Sequence, residues 1–399
     1  MSYFLLPINS YNITTHDLKL IQSNELNNIN INYISTTLKG YLLNNKSKIE
    51  NSQQEWDNVK KYINPYEFIH TPIPYSKNAV AKYKPISRSY FKFIEISNML
   101  QIVDFYNQHK CISSFHLAEG PGGFIEAIAN LRKNTSDSYY GMTLISNDTN
   151  VPGWRKSQEL FKKYPNIHLE KGSTKDGNIL CVENYKYCCE KYKHSMDIIT
   201  ADGGFDFSID FNMQEIMSVK LILAETLYAV TLQNYKGNFI LKIFDCFSKV
   251  TSEILYFLSC FYEKVYIVKP HTSRYANSER YIVCKNFKLQ QLDSSLILKF
   301  KEIISILSKE KEYIEGLLSF HLPYFFYTKL EEINSILGQQ QIESIVNTLN
   351  LINHKNKNDK LEQLKNNNII KCNNWCVKNK QPYYKTISQT NIFLTNSND

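Results

Sequence analysis

Between residues 86 and 288, short β-rich runs alternate with helical ones, and no other feature narrows the possible folds as much. Runs of Ile, Val, Tyr and Phe at 112–117, 139–145, 167–170, 196–200, 239–244, 265–268 and 281–284 predict strands. Helical periodicity at 124–131, 155–164, 179–192, 214–235 and 251–261 predicts helices between them, the longest capped by Asn212. Strands joined by crossover helices pair in parallel, so the region predicts an α/β fold: a mostly parallel sheet with helices on both faces. The last two strands are separated only by residues 271–279. That is too short for a crossover helix, so this pair is expected to run antiparallel.

The flanks lack this pattern. Residues 1–85 read as an irregular N-terminal extension with one or two helices, punctuated by Pro65, Pro72, Pro74 and Pro85. Residues 289–351 read as a helical C-terminal region. Residues 352–399 read as an Asn/Lys-rich tail whose Trp375, Tyr383, Tyr384 and Phe393 are expected to dock it on the body. With 43% of 399 residues apolar and 13% aromatic, wholesale disorder is excluded. The longest apolar run, 221–232, is interrupted by Glu225, so no membrane-spanning helix is expected. The start MSYFLLPINS lacks the charged and apolar segments of a secretory signal. Nine scattered Cys without paired C-x-x-C elements predict reduced thiols and no zinc site. A soluble protein of the cytoplasm or nucleus is the expectation. The net charge is +8, and residues 351–399, with eight Lys against two Asp and one Glu, hold +5 of it. Such an excess suits a polyanionic partner, and it also suits a merely solvated tail.

Five segments carry candidate chemistry. Leu117-Ala118-Glu119-Gly120-Pro121-Gly122-Gly123-Phe124 joins a strand to a helix. Its glycines permit a tight turn and close approach of a ligand to the backbone, at the sheet edge where open α/β proteins bind ligands. It is neither G-x-G-x-x-G nor a Walker loop, which speaks against a dinucleotide dehydrogenase or an NTPase. Asp202 ends the fourth strand, before Gly203 and Gly204. Lys242 stands inside the apolar strand Phe239-Ile240-Leu241-Lys242-Ile243-Phe244, and lysine is rarely buried without a partner. Glu279 opens the last strand, after a polar loop in which Arg274 and Asn277, with Arg280 beyond it, are candidates for phosphate contact. Arg88 and Lys92 are four apart, on one face of a helix.

Taken in this order, the five segments resemble the FtsJ-like 2'-O-ribose methyltransferases over residues 86–288. The resemblance includes a Lys–Asp–Lys–Glu tetrad, here Lys92, Asp202, Lys242 and Glu279. Gly120-Pro121-Gly122-Gly123-Phe124, Gly141-Met142-Thr143-Leu144, Ala201-Asp202-Gly203-Gly204-Phe205 and Ser273-Arg274 through Tyr281 resemble the cap-specific mRNA branch. The ribosomal branch carries Ala-Pro-Gly-Gly-Trp at the first of these positions. The resemblance implies a Rossmann-like seven-stranded methyltransferase sheet, S-adenosyl-L-methionine as cofactor and capped mRNA as partner. It further implies cofactor contacts from Glu119, Gly120, Pro121, Gly122, Gly123, Phe124, Asp176 and Asp202, and RNA contacts from Arg88, Arg274 and Asn277. The turn Gly172-Ser173-Thr174-Lys175-Asp176-Gly177 has one acid where that branch usually has more.

These residue types suit the implied chemistry. A ribose 2'-hydroxyl becomes a nucleophile as its proton leaves, so a base must be in place. Lysine serves once burial or a neighbouring cation lowers its pKa. Lys242 is the expected base, Lys92 would steer the hydroxyl, and Asp202 and Glu279 would orient both amines; no metal is required. Two alternatives stay open: a ribosomal- or transfer-RNA 2'-O-methyltransferase, and a catalytically idle fold acting as an RNA-binding or polymerase-accessory subunit.

Overall fold

The computed structural model describes residues 2–23, 33–106, 110–148, 151–204, 213–309, 313–354 and 357–385. The chain divides into two compact units, Met1–Asn45 with Ile86–Ile342 and Lys46–Pro85 with Glu343–Asp399. The strands are β1 (Ser2–Leu5), β2 (Leu18–Ser23), β3 (Ser113–Leu117), β4 (Ser138–Met142), β5 (Ile167–Glu170), β6 (Met196–Ala201), β7 (Gln233–Phe244), β8 (Tyr262–Lys269), β9 (Glu279–Phe287) and β10 (Tyr313–Leu318). The helices are α1 (Thr36–Ser47), α2 (Gln53–Ile63), α3 (Ser89–Leu100), α4 (Gly123–Arg132), α5 (Gln158–Lys163), α6 (Val182–Tyr192), α7 (Gln214–Leu232), α8 (Lys249–Phe261), α9 (Ser294–Leu307), α10 (Tyr324–Ile352) and α11 (Lys357–Lys378).

The first unit is built on an eight-stranded sheet in the order β1-β8-β9-β7-β6-β3-β4-β5. Strands β3 to β7 pair in parallel. β9 runs antiparallel between β7 and β8, as the short connection required. Helix α3 packs on α4, while α6, α7, α8 and α9 form a second contacting group. β6, Met-Asp-Ile-Ile-Thr-Ala, is buried at every position, the apolar run expected of a parallel strand covered on both faces.

Several expectations are corrected. The sheet has eight strands, because β1 from the segment read as irregular pairs antiparallel with β8, Ser2 opposite Lys269. Four residues are too few to display a period. Within the region read as helical, Tyr313–Leu318 is a strand and pairs with β2. A short apolar run does not distinguish strand from helix, and its partner lies almost 300 residues away. The long helix ends at Leu232 and passes directly into β7 at Gln233; its expected cap, Asn212, lies outside the described residues. The predicted helix at 155–164 shortens to Gln158–Lys163.

The second unit contains the segment read as a tail. Much of it is helix α11, with Cys372, Trp375 and Cys376 buried. Asn368 donates to the Tyr62 carbonyl at 2.6 Å, and the Cys372 thiol to the Pro65 carbonyl at 3.4 Å. Phe393 lies outside the described residues. All nine Cys are free thiols, and no helix among the described residues is long and apolar enough to cross a membrane.

Candidate active site

Sheet register assembles the site. Leu117 of β3 lies opposite Ala201 of β6, so the Gly-rich turn and Asp202 leave the sheet side by side. Ala201 lies opposite Leu241, which sets Lys242 beside Asp202. On the antiparallel side, Lys242 faces Tyr281 and Phe244 faces Glu279. Residues two apart share a face of a strand, so Lys242, Tyr281 and Glu279 converge. Lys92 arrives from α3, which approaches α4 closely because position 123 is glycine: a Cβ there would lie 2.1 Å from Ser89 Oγ.

The four tetrad residues form two joined ion pairs. Lys92 Nζ lies 2.7 Å from each carboxylate oxygen of Glu279, and Ser273 Oγ donates to Glu279 Oε1 at 2.7 Å. Lys242 Nζ donates to the Asp202 carbonyl at 2.7 Å and sits 3.4 Å from its Oδ1. That same Oδ1 accepts from the Tyr281 hydroxyl at 2.8 Å. Gly204 leaves the Lys242 head uncrowded, since a Cβ there would come within 3.3 Å of Nζ.

The electrostatics separate the two lysines. Burial pushes the Lys92 ammonium below its ordinary range, more than Glu279 lifts it, and Arg88 adds to the depression. Burial also acts on Lys242, yet Asp202, Glu279 and Glu225 together outweigh it and raise its pKa. Burial would raise Glu279, but Lys92, Lys242 and Arg88 hold its carboxyl far below the usual range, so it is ionised. Behind Asp202 lie two buried acids. Burial lifts Glu119 and Glu225 well above the carboxylate range, and Asp202 lifts both further. Glu225 Oε1 has no hydrogen-bond partner.

The other predicted site residues divide. Arg88, half-buried at the start of α3, acts on both Lys92 and Glu279. Asp176 is partly exposed; its Oδ1 accepts from Thr174 Oγ1 at 2.6 Å and Asn184 Nδ2 at 2.8 Å, which helps to keep it ionised against burial. Glu119 caps α4, with its Oε1 accepting from Phe124 N–H at 2.6 Å, and Phe124 itself is buried against Phe93. The glycines are not kept free for a ligand as expected. The space above Gly120 is met by the Pro152 and Gly153 backbone, above Gly122 by the Trp154 ring, and above Gly123 by α3. Gly122 also has a φ of 108°, which favours glycine. Pro121 accepts from Ser157 Oγ at 2.7 Å. Arg274 is half-buried and its carbonyl closes a turn on Asn277 N–H. Asn277 Oδ1 is already engaged by Lys269 Nζ at 2.6 Å. Arg280 is not at the site: it is buried on the opposite face of β9, where it pairs with Asp245 at 3.1 Å and Asn334 at 2.9 Å. Phe205 lies outside the described residues.

Sequence reasoning passed over four contributors. Tyr281 was readable from its place two residues after Glu279. Glu225 was the lone charge in the apolar run 221–232. Lys269 ends the apolar strand β8, and donates to the Glu279 carbonyl at 2.6 Å while burial draws it down to about 7. Ser273 stood in the segment that resembles the cap-specific branch but was given no role of its own.

The sheet order, with antiparallel β9 inserted between β7 and β8 and a Gly-rich turn after the first core strand, defines the Rossmann-like methyltransferase class. The model of the FtsJ-like methyltransferase family matches residues 85–287, and the chain belongs to that family. It is 38% identical over 177 residues to the human cap-specific mRNA (nucleoside-2'-O-)-methyltransferase 1, covering 43% of this chain and 21% of that protein. The Drosophila melanogaster cap-specific mRNA (nucleoside-2'-O-)-methyltransferase 2 is 30% identical over 242 residues, 55% of this chain and 33% of that protein. The Trypanosoma brucei brucei cap-specific methyltransferase 1 is 35% identical over 173 residues, 42% and 45% of the two chains. The match thus spans between about a fifth and under half the length of these relatives. A solved ribosomal RNA methyltransferase from Plasmodium falciparum aligns at TM-score 0.36 and 23% identity, over 50% of this chain and 97% of that one.

Proposed function

We propose that residues 86–288 transfer a methyl group from S-adenosyl-L-methionine to a ribose 2'-hydroxyl of RNA, close to the 5' cap of mRNA. The observation that carries this reading is the pair of joined ion pairs, Lys92–Glu279 and Lys242–Asp202, on the carboxyl edge beside the Gly-rich turn. The names of the curated relatives support the cap as the substrate. Capped mRNA as substrate implies work in the cytoplasm or nucleus.

The residues present fit the cofactor. Leu144 and Ile145 are 43% and 47% exposed just after β4, and Ile145 N–H donates to the Asp176 carbonyl at 2.7 Å. An exposed apolar pair beside an ionised carboxylate suits an adenosine moiety. Asp202, on the same carboxyl edge as the Gly-rich turn, suits the cationic end. When bound, the cofactor supplies an electrophilic methyl group.

The chain's own residues then act on the hydroxyl. Lys242 would receive its proton as the new C–O bond forms and the methyl–sulfur bond breaks, the electron pair staying on sulfur. Lys92, fixed by Glu279 and Ser273, directs the oxygen. Lys242 is protonated in this arrangement because its carboxylates outweigh burial, so it must lose a proton before it can act. Arg88 and Arg274 are the cations for the adjoining phosphates; Asn277 orders the loop that carries Arg274. The test is transfer of labelled methyl to capped and uncapped oligonucleotides, with nuclease mapping of the labelled ribose. Label at an internal ribosomal or transfer-RNA sequence, and none near a cap, would overturn the cap reading.

A further inference from the structure

The charge of the chain is segregated between its two units. Lys46–Pro85 has seven Lys against four acids, and Glu343–Asp399 has eight Lys against four acids, so the second unit holds +7 of the net +8. The unit carrying the candidate active site is therefore nearly neutral. Such a division is not needed for solubility, and it leaves the catalytic unit with little general attraction for a polyanion.

Within the second unit, basic and aromatic side chains are interleaved on a short antiparallel ladder. Ala81 bridges Tyr383, Lys82 N–H donates to the Pro382 carbonyl at 2.9 Å, and Tyr384 N–H donates to the Val80 carbonyl at 2.9 Å. Lys82 Nζ lies 5.5 Å from the Tyr384 ring centre. Lys84 and Lys385, next along the two strands of the ladder, are exposed, and Tyr384 is 37% exposed. In the same unit Lys365 Nζ, which is largely covered and paired with Glu362, lies 5.9 Å from the ring of the fully exposed Tyr75. Single-stranded nucleic acid is held in this way, by cations along the backbone and aromatic rings on which successive bases stack.

We propose that the second unit is a single-stranded RNA-binding surface, centred on Lys82, Lys84, Tyr384 and Lys385, which retains transcripts irrespective of sequence. This proposal rests on the reading of RNA as substrate. It assigns the retention of long RNA to a unit separate from the chemistry. The ladder ends six residues before Arg88 in the chain.

The experiment uses the full chain and the variant Lys82→Ala/Lys84→Ala/Lys385→Ala, with Tyr384→Ala as a second variant. Anisotropy of an uncapped RNA of about twenty nucleotides is measured from low to moderate salt, alongside methyl transfer to capped RNAs of two and about twenty nucleotides. Removing three phosphate contacts should lower the slope of log affinity against log salt by about 2. Tyr384→Ala should weaken binding about tenfold. KM should rise for the long RNA alone, with kcat unchanged. Unaltered slope and KM in both variants would overturn the proposal, as would equal losses on the short and long substrates. If the wild-type chain binds RNA with the expected slope but transfers no methyl group, the catalytic reading fails and the binding surface stands.

Discussion

At the scale of single residues, the decisive question is the proton on Lys242. Lys242→Arg should lose roughly 10²–10⁴-fold in single-turnover rate, because a guanidinium cannot be deprotonated in a protein. Since Asp202 helps to raise the Lys242 pKa, Asp202→Asn should lower it. The rising limb of the single-turnover pH profile, taken at saturating cofactor, should then move to lower pH. A limb that stays in place would mean that another group titrates. Lys92 tests a different property. Lys92→Met leaves the Glu279 carboxylate buried without its partner, a loss of about 3–5 kcal/mol. Urea unfolding of Lys92→Met, Glu279→Gln and the double variant should give a favourable coupling energy.

At the scale of elements, the site depends on how closely α3 can approach α4. Gly123→Ala would push a methyl group against Ser89 Oγ. We expect a loss of about 1–3 kcal/mol from overpacking, and a fall in activity as Lys92 is carried away from Glu279. Ser89→Gly in the same chain should recover part of both, read by thermal melting and by initial rate. Gly122→Val is the poorer probe of ligand binding, because the strain at φ 108° and the Trp154 ring 3.2 Å from its Cβ would act first. These contacts show how far the sequence was readable. Lys242 was legible because a lysine inside an apolar strand breaks a local rule, whereas Lys92, Asp202 and Glu279 were grouped with it through the family resemblance. The partners of the glycines were not legible, since a Gly-rich turn looks the same whether a ligand or a Trp ring fills the space. β1 and β10 escaped detection because their evidence lies in partners far along the chain.

At the scale of the whole molecule, cutting the chain near residue 352 is not the removal of a solvated tail. Residues 343–385 share a unit with 46–85, and α11 buries Cys372, Trp375 and Cys376 in it. Burying such a side chain contributes about 1.5–3 kcal/mol, and Asn368 and Cys372 also satisfy the carbonyls of Tyr62 and Pro65. The truncated chain should therefore lose protection in the segment left behind. Val80 N–H, bonded to the Phe68 carbonyl at 2.8 Å, and Ala81 N–H, bonded to that of Ile69 at 3.2 Å, are the reporters. Both amides should exchange with deuterium much faster after truncation, and trypsin should cut at Lys77 or Lys82. The amides of β6 belong to the other unit, with its own core, and should exchange as before. Uniform acceleration across both sets would mean that the two units unfold as one. No change at Val80 and Ala81 would mean that 46–85 holds its fold without α11.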